Sequence, residues 1–179
     1  MDQDQSEFDE SYLDDPSQRE HDEQRLGDAI LNSPLATLEP KPAVTVSADT
    51  TIREAIAVML DSSIGAVLVL DDRGHVGGIF TERDVLRKVA ASSIDTSTCV
   101  SEVMTRDPES LGLDDGIAFA LNRMILGGFR HIPIVDDAGA PLAVLSLREV
   151  VAFIVSLLPS RVLNLPPEPR LEARSSDGG

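Results

Sequence analysis

The chain has 179 residues, 42% of them hydrophobic, which is enough for one compact domain, or two small ones sharing a core, plus tails. A net charge of −16, 3% aromatics and no Trp argue against a phosphate-backbone partner and against a base-stacking platform. The single cysteine, Cys99, excludes an intramolecular disulfide framework and a multi-cysteine zinc site, and it fits a reducing compartment.

Residues 1–40 hold 12 Asp/Glu against 2 Arg, so the acidity is concentrated at the N-terminal end. The arm 1–25 is too polar to offset its ordering entropy and is expected to be disordered, either as an interaction tail or as a solubilising extension. It lacks the basic and apolar regions of a signal peptide, and no apolar run reaches bilayer length. A cytoplasmic protein with no membrane partner is therefore expected. Residues 26–43 form a lead-in in which Leu26–Leu38 carries enough spaced apolar residues to dock as a short helix and turn.

An internal repeat follows. At an offset of 65 residues, 46–89 align with 111–154 without a gap, matching Asp49 with Asp114, Ile52 with Ile117, Met59 with Met124, Gly74 with Gly139 and Arg83 with Arg148. In the first copy Val44–Val46 reads as a strand. Thr51 and Glu54 form a T-x-x-E capping box opening a helix, with Ile52, Ala55, Ile56, Met59 and Leu60 on one apolar face. Ala66–Leu70 and Val76–Phe80 pair as a hairpin around Asp71-Asp72-Arg73-Gly74. Thr81 then opens a helix to about Ala91, with Val85, Leu86 and Val89 inward.

The second copy repeats this. Ile117, Ala120, Leu121, Met124 and Ile125 face inward; Ile132–Val135 and Leu142–Leu145 form the hairpin; Ser146 opens a last helix with Val150, Val151, Ile154 and Val155 apolar. The order is β-α-β-β-α, twice. A unit of this size has too little core alone, so the two copies should bury their faces against each other. The end, 159–179, with Pro166, Pro167 and Pro169 before SSDGG, reads as a flexible tail.

The stretch GAVLVLDDRGHVGGIFTERDVL resembles a CBS (cystathionine beta-synthase) domain, and VSEVMTRDPESL resembles the segment joining two such domains in a tandem pair. The resemblance covers roughly residues 32–158. It implies an α+β fold of two β-α-β-β-α units, 44–98 and, with the linker, 99–158, packed as a pseudo-twofold pair with clefts between them. It also implies a regulatory module that senses an adenine nucleotide, often dimerises and acts on a partner protein. AMP, ADP and ATP are the usual ligands and S-adenosylmethionine is another; no cofactor is required.

Thr81-Glu82-Arg83-Asp84 is the most informative stretch. A carboxylate on the first turn of a helix can accept from both hydroxyls of a ribose, and the turn's N–H groups favour an anion. T-x-x-D is equally a plain capping pair. The resemblance places adenine against backbone at Val44, Thr45 and Val46 and at Ile64, Gly65, Ala66 and Val67, positions that also suit ordinary strand core. It places Met104 and Thr105 at the cleft, although Met104 equally suits the core, and Arg130-His131 toward phosphates, with Arg123 and Arg83 as helpers, although a surface Arg and a partly buried, hydrogen-bonded His suit those two positions as well. The second copy departs from the pattern: Ala143 replaces a glycine, and Ser146 and Glu149 replace Thr and Asp. A weak second cleft is expected there.

Catalysis finds no support. The chain has no G-x-S-x-G elbow, Walker loop, H-E-x-x-H or dinucleotide fingerprint, and no base is held beside Cys99. His21 and His75 have no partner at metal spacing, so no metal site is expected. Arg87-Lys88 reads as a solvated helix turn. Val85, Val89, Ile125 and Ile154 are candidates for a homodimer surface or for the internal core. The competing reading is a scaffold with degenerate clefts and no ligand, separated from the sensor reading by the intact Thr81 and Asp84.

Overall fold

The 65-residue offset reappears in three dimensions, element for element. The computed structural model describes residue 25 and residues 27–157. The acidic arm, Arg25 apart, and the C-terminal tail lie outside the described residues, and with them the expectation that both are disordered. The first half contains β1 (Thr45–Ser47), α1 (Ile52–Asp61), β2 (Ala66–Leu70), β3 (Val76–Thr81) and α2, which opens as Glu82–Asp84 and continues as a π-helical stretch, Val85–Ala90. A short β4 (Thr105–Arg106) lies in the linker, and the second half adds α3 (Ile117–Gly127), β5 (His131–Val135), β6 (Pro141–Ser146) and α4 (Leu147–Leu157).

Local chemistry explains the correspondence. Thr51 and Glu54 close a reciprocal capping box on α1, as do Thr81 and Asp84 on α2; Ser146 and Glu149 make the same bonds before α4. Each hairpin turns on an aspartate. Asp71 Oδ1 accepts from the N–H groups of Arg73 and His75, and Asp136 Oδ1 from those of Ala138 and Ala140. Gly74 and Gly139 supply the positive φ, +81° and +83°, that each turn needs. Both hairpins skip one residue at the same place, Gly77 in one and Leu142 in the other, so the bulge does not depend on glycine.

The sheets differ in size. The first runs β1-β2-β3-β4, with β1 parallel to β2 and the rest antiparallel. In the second, β5 and β6 pair antiparallel, and single bridges flank them: Leu111 beside Ile134 and Pro42 beside Ala143. The first strand falls at Thr45–Ser47, one residue later than Val44–Val46, although the Val44 carbonyl already accepts from Leu68 at 3.0 Å.

The edges are exchanged between halves. Leu35, in a 3-10 turn (Leu35–Leu38), is fully buried in the second half's core beside Ile117, Ile132 and Leu145. Val100, in the matching linker turn (Val100–Glu102), is fully buried in the first half's core beside Ile52, Val67 and Phe80. The Leu35 N–H donates to the Asp115 carbonyl at 2.8 Å, and Val100 donates to Thr50 at 2.8 Å, the same bond one repeat apart. Each repeat's leading segment thus straps the other repeat. A third cluster, Ala66, Leu68 and Ile79 with Ala43, Val76 and Val144, joins the halves.

Several inward assignments are corrected. Leu60 is 72% exposed, Ile125 74% and Leu86 69%, and Val151 is also exposed. In α1 and α3 the buried positions are i, i+3 and i+7 (Ile52, Ala55, Met59; Ile117, Ala120, Met124), so the last apolar residue of each stripe falls past the rim. In α2, Val85 and Val89 pack on the core and Leu86 turns away. Val89 is therefore core, not dimer surface, and Val85 and Ile154 also pack against the cores.

Candidate functional site

A cleft of about 480 Å³ opens between the halves. Its walls come from the β3–α2 junction (Ile79, Thr81–Asp84, Arg87, Lys88), the linker (Thr105, Asp107–Glu109), the α3–β5 turn (Gly127–His131) and Gly65. Its size suits a small-molecule ligand.

The β3–α2 junction is rigid. Asp84 Oδ2 accepts from the Thr81 N–H at 3.0 Å and from the Thr81 hydroxyl at 2.7 Å, while the Asp84 N–H donates back to Thr81 Oγ1 at 3.3 Å. Asp84 is the buried charged residue of the described chain, 8% exposed. Its other oxygen, Oδ1, accepts from Lys88 Nζ at 2.7 Å. A buried carboxylate held this way is compensated and oriented.

The far wall is drawn in from the second half. Gly128, in the left-handed conformation at φ +66°, ends α3, and its carbonyl accepts from Arg83 Nη1 at 2.5 Å. The His131 ring lies over Gly65: a Cβ there would stand 3.2 Å from both Cε1 and Nε2. Burial holds the His131 pKa below its ordinary value, and Arg130 adds to this while Glu82 and Glu149 oppose it. Glu109 is paired with Arg123 through two bonds, which hold its carboxyl below the usual range. Four cationic side chains, Arg83, Arg87, Lys88 and Arg130, thus border the cleft, and two of its four carboxylates, Asp84 and Glu109, already have cationic partners.

Seven of the anticipated residues meet in this lining: Gly65, Thr81, Arg83, Asp84, Thr105, Arg130 and His131. Val44, Thr45, Val46, Ala66, Val67 and Met104 are outside it. Thr45 and Val46 pair with Leu68 and Val69 in the β1–β2 ladder, and Ala66 and Val67 pair with Thr81 and Phe80. Met104 folds onto β3, where a Cβ on Gly78 would lie 2.3 Å from its sulfur; Gly78 is what lets it approach. Arg123, engaged with Glu109, is not in the lining. Ser146 and Glu149 form their box outside this cleft.

Arg87 is exposed, as expected of a solvated turn, and Lys88 is half-buried; both border the cleft. Lys88 Nζ also donates to the Val103 carbonyl at 2.7 Å and to Thr105 Oγ1 at 3.4 Å. The signal for Lys88 was its place four residues after Asp84, the spacing at which opposite charges meet on a helix. Among the described residues, no group of three or more His, Cys, Asp or Glu could hold a metal ion, and no helix is long and apolar enough to cross a membrane.

Comparison with known proteins matches the CBS domain model twice, at residues 36–91 and 100–156. The chain is similar to an uncharacterized 17.7 kDa protein of Acidianus ambivalens, 33% identical over 112 residues, which are 63% of this chain and 67% of that one. Several other curated relatives are much longer. For an inosine-5′-monophosphate dehydrogenase of Methanocaldococcus jannaschii, 34% identical over 110 residues, the match covers 62% of this chain and 21% of that protein. Among solved structures, the CBS domain pair of protein MJ0100, in complex with 5-methylthioadenosine and S-adenosyl-L-methionine, has a TM-score of 0.65 at 20% identity, covering 70% of this chain and 98% of that one. CBSX2 in complex with AMP has a TM-score of 0.60 at 18% identity, with the same coverage. At these identities the two structures share the fold.

Proposed function

The chain belongs to the CBS domain family, and on that footing we propose that it is a regulatory module whose first cleft binds an adenosine nucleotide, AMP, ADP or ATP, and signals to a separate partner. One observation carries this reading: the Thr81–Asp84 box opens into a cleft between the halves bordered by Arg83, Arg87, Lys88 and Arg130. A carboxylate at a helix start suits a ribose diol, and the cations suit phosphate. The family neighbours crystallised with AMP, methylthioadenosine and S-adenosylmethionine support an adenosine-type ligand. Gly65, Arg130 and His131 are the further contacts we assign; Ala66, Val67 and β1 stand behind them.

Binding between two halves joined by exchanged straps would shift their packing, and a partner reads that shift. A second copy of the chain is the other partner we assign, through the exposed Phe119, Ile125 and Leu126 of α3 and Leu60 of α1. Thermal unfolding with AMP, ADP, ATP and S-adenosylmethionine tests the ligand. A compound at a hundred times its Kd adds about 2.7 kcal/mol of stability. Stabilisation by a nucleotide that disappears in Asp84→Ala upholds the reading. A well-folded protein indifferent to all four overturns it in favour of a ligand-free scaffold.

A further inference from the structure

Asp84 has four acceptor positions on its two oxygens. Thr81 fills two through its N–H and hydroxyl, and Lys88 fills a third at 2.7 Å. One remains, and a ribose diol brings two donors. A bond must be given up. The Thr81 bonds come from the residue that caps the same helix, whereas Lys88 is a long, partly exposed side chain, so it is the group that yields.

Lys88 does not hold Asp84 alone. Its three N–H donors reach Asp84 Oδ1, the Val103 carbonyl and Thr105 Oγ1, so one ammonium ties the ribose carboxylate to the linker between the halves. This tie has no counterpart in the other repeat. There Phe153 occupies the position equivalent to Lys88, and α4 stays α-helical where α2 is wound as a π-helix from Val85 to Ala90.

We infer that Lys88 is a clasp that couples occupancy of the first cleft to the linker at residues 103–105, and that sets the cleft's preference for a phosphorylated ligand. The inference rests on the nucleotide reading above. A diol that takes Asp84 displaces the ammonium. The displacement loosens its hold on Val103 and Thr105 and releases a positive charge into a cleft already bordered by Arg83, Arg87 and Arg130. A ligand with a phosphate gives that charge a new partner; adenosine, which has none, leaves it uncompensated. The same side chain is thus a competitor for adenosine and a contact for AMP.

The test is binding of adenosine and AMP to the wild-type chain, Lys88→Met and Lys88→Gln, with hydrogen–deuterium exchange over residues 103–106. Removing the competitor should tighten adenosine binding about 2- to 5-fold, the range of a partly exposed ion pair. The preference for AMP over adenosine should shrink about tenfold, the scale of a charge-assisted hydrogen bond. In the wild type AMP should speed exchange at 103–106, toward the rate both variants show without ligand. Adenosine binding unchanged or weakened in both variants overturns the inference, as does linker exchange indifferent to AMP in a protein that binds it. If the wild type binds neither compound, the coupling fails, and the nucleotide reading fails with it only where ADP, ATP and S-adenosylmethionine also leave the unfolding temperature unchanged. Equal linker exchange in all three proteins without ligand overturns the clasp whatever they bind.

Discussion

Arg83, on the first helical turn of one repeat, donates to the carbonyl of Gly128, which ends a helix of the other repeat at φ +66°. The contact joins a glycine that must take a left-handed conformation to a cation beside the cleft. Gly128→Ala should therefore destabilise the protein by about 1 kcal/mol, from backbone strain alone, since a Cβ there meets nothing within 4 Å. Urea unfolding reads this directly, and an unchanged midpoint would show that the turn re-forms without strain.

The equivalent capping boxes of α2, at the cleft, and α4, outside it, separate stability from binding. Asp84→Asn and Glu149→Gln each weaken a cap, so each should cost about 1 kcal/mol. Stabilisation by AMP should be lost in the first and kept in the second. Equal loss in both would place the ligand elsewhere.

The exchanged straps make a sharper stability prediction. Leu35 is fully buried in the half it does not belong to, whereas Leu60, within its own helix, is 72% exposed. Leu35→Ala should cost about 2–5 kcal/mol, in the range of other buried leucines, and Leu60→Ala a few tenths. Comparable losses at the two sites would mean that the strap is not docked in solution.

His131 should give the protein a pH dependence of defined sign. Burial and Arg130 favour the neutral imidazole in the folded state, against the 6.5 of the open chain. Above about pH 6.5 both states are neutral and the stability is complete. As pH falls through that value the unfolded chain takes up a proton that the folded one resists, so stability declines until the folded pKa is passed. Chemical unfolding at about pH 7.5 and about pH 5.5 should show this decline in the wild type and less of it in His131→Asn. Equal declines would assign the effect to other groups.

Much of the fold was legible because the chain states it twice. Asp71 and Asp136, Gly74 and Gly139, and the Thr51, Thr81 and Ser146 boxes are local signals, readable from three to five neighbouring residues. Residues whose role depends on the packing of distant segments were not legible. The spacing from Asp84 announces the Lys88 ion pair, but nothing local announces its bonds to Val103 and Thr105 in the linker, and Leu86, like its counterpart Val151 in the regularly wound α4, lies outside the buried face. Met104 suits both cleft and core in the sequence, and it is the missing side chain of Gly78, 26 residues away, that gives it a place on β3. Leu35 and Val100 carry no mark in the sequence of which half will receive them.

The exchange of leading segments also bears on how such a molecule could have arisen by duplication. A chain consisting of one repeat would carry a strap, and a core to receive one, but in this molecule each strap is held by the other repeat's core. Two such chains could rebuild the present architecture by trading straps, each completing the other's edge and core. Fusing them would then have removed the dependence on concentration without requiring a single new contact. On this view the linker between the repeats, with Val100 already buried at its start, is the strap of the second ancestor, now anchored at both ends.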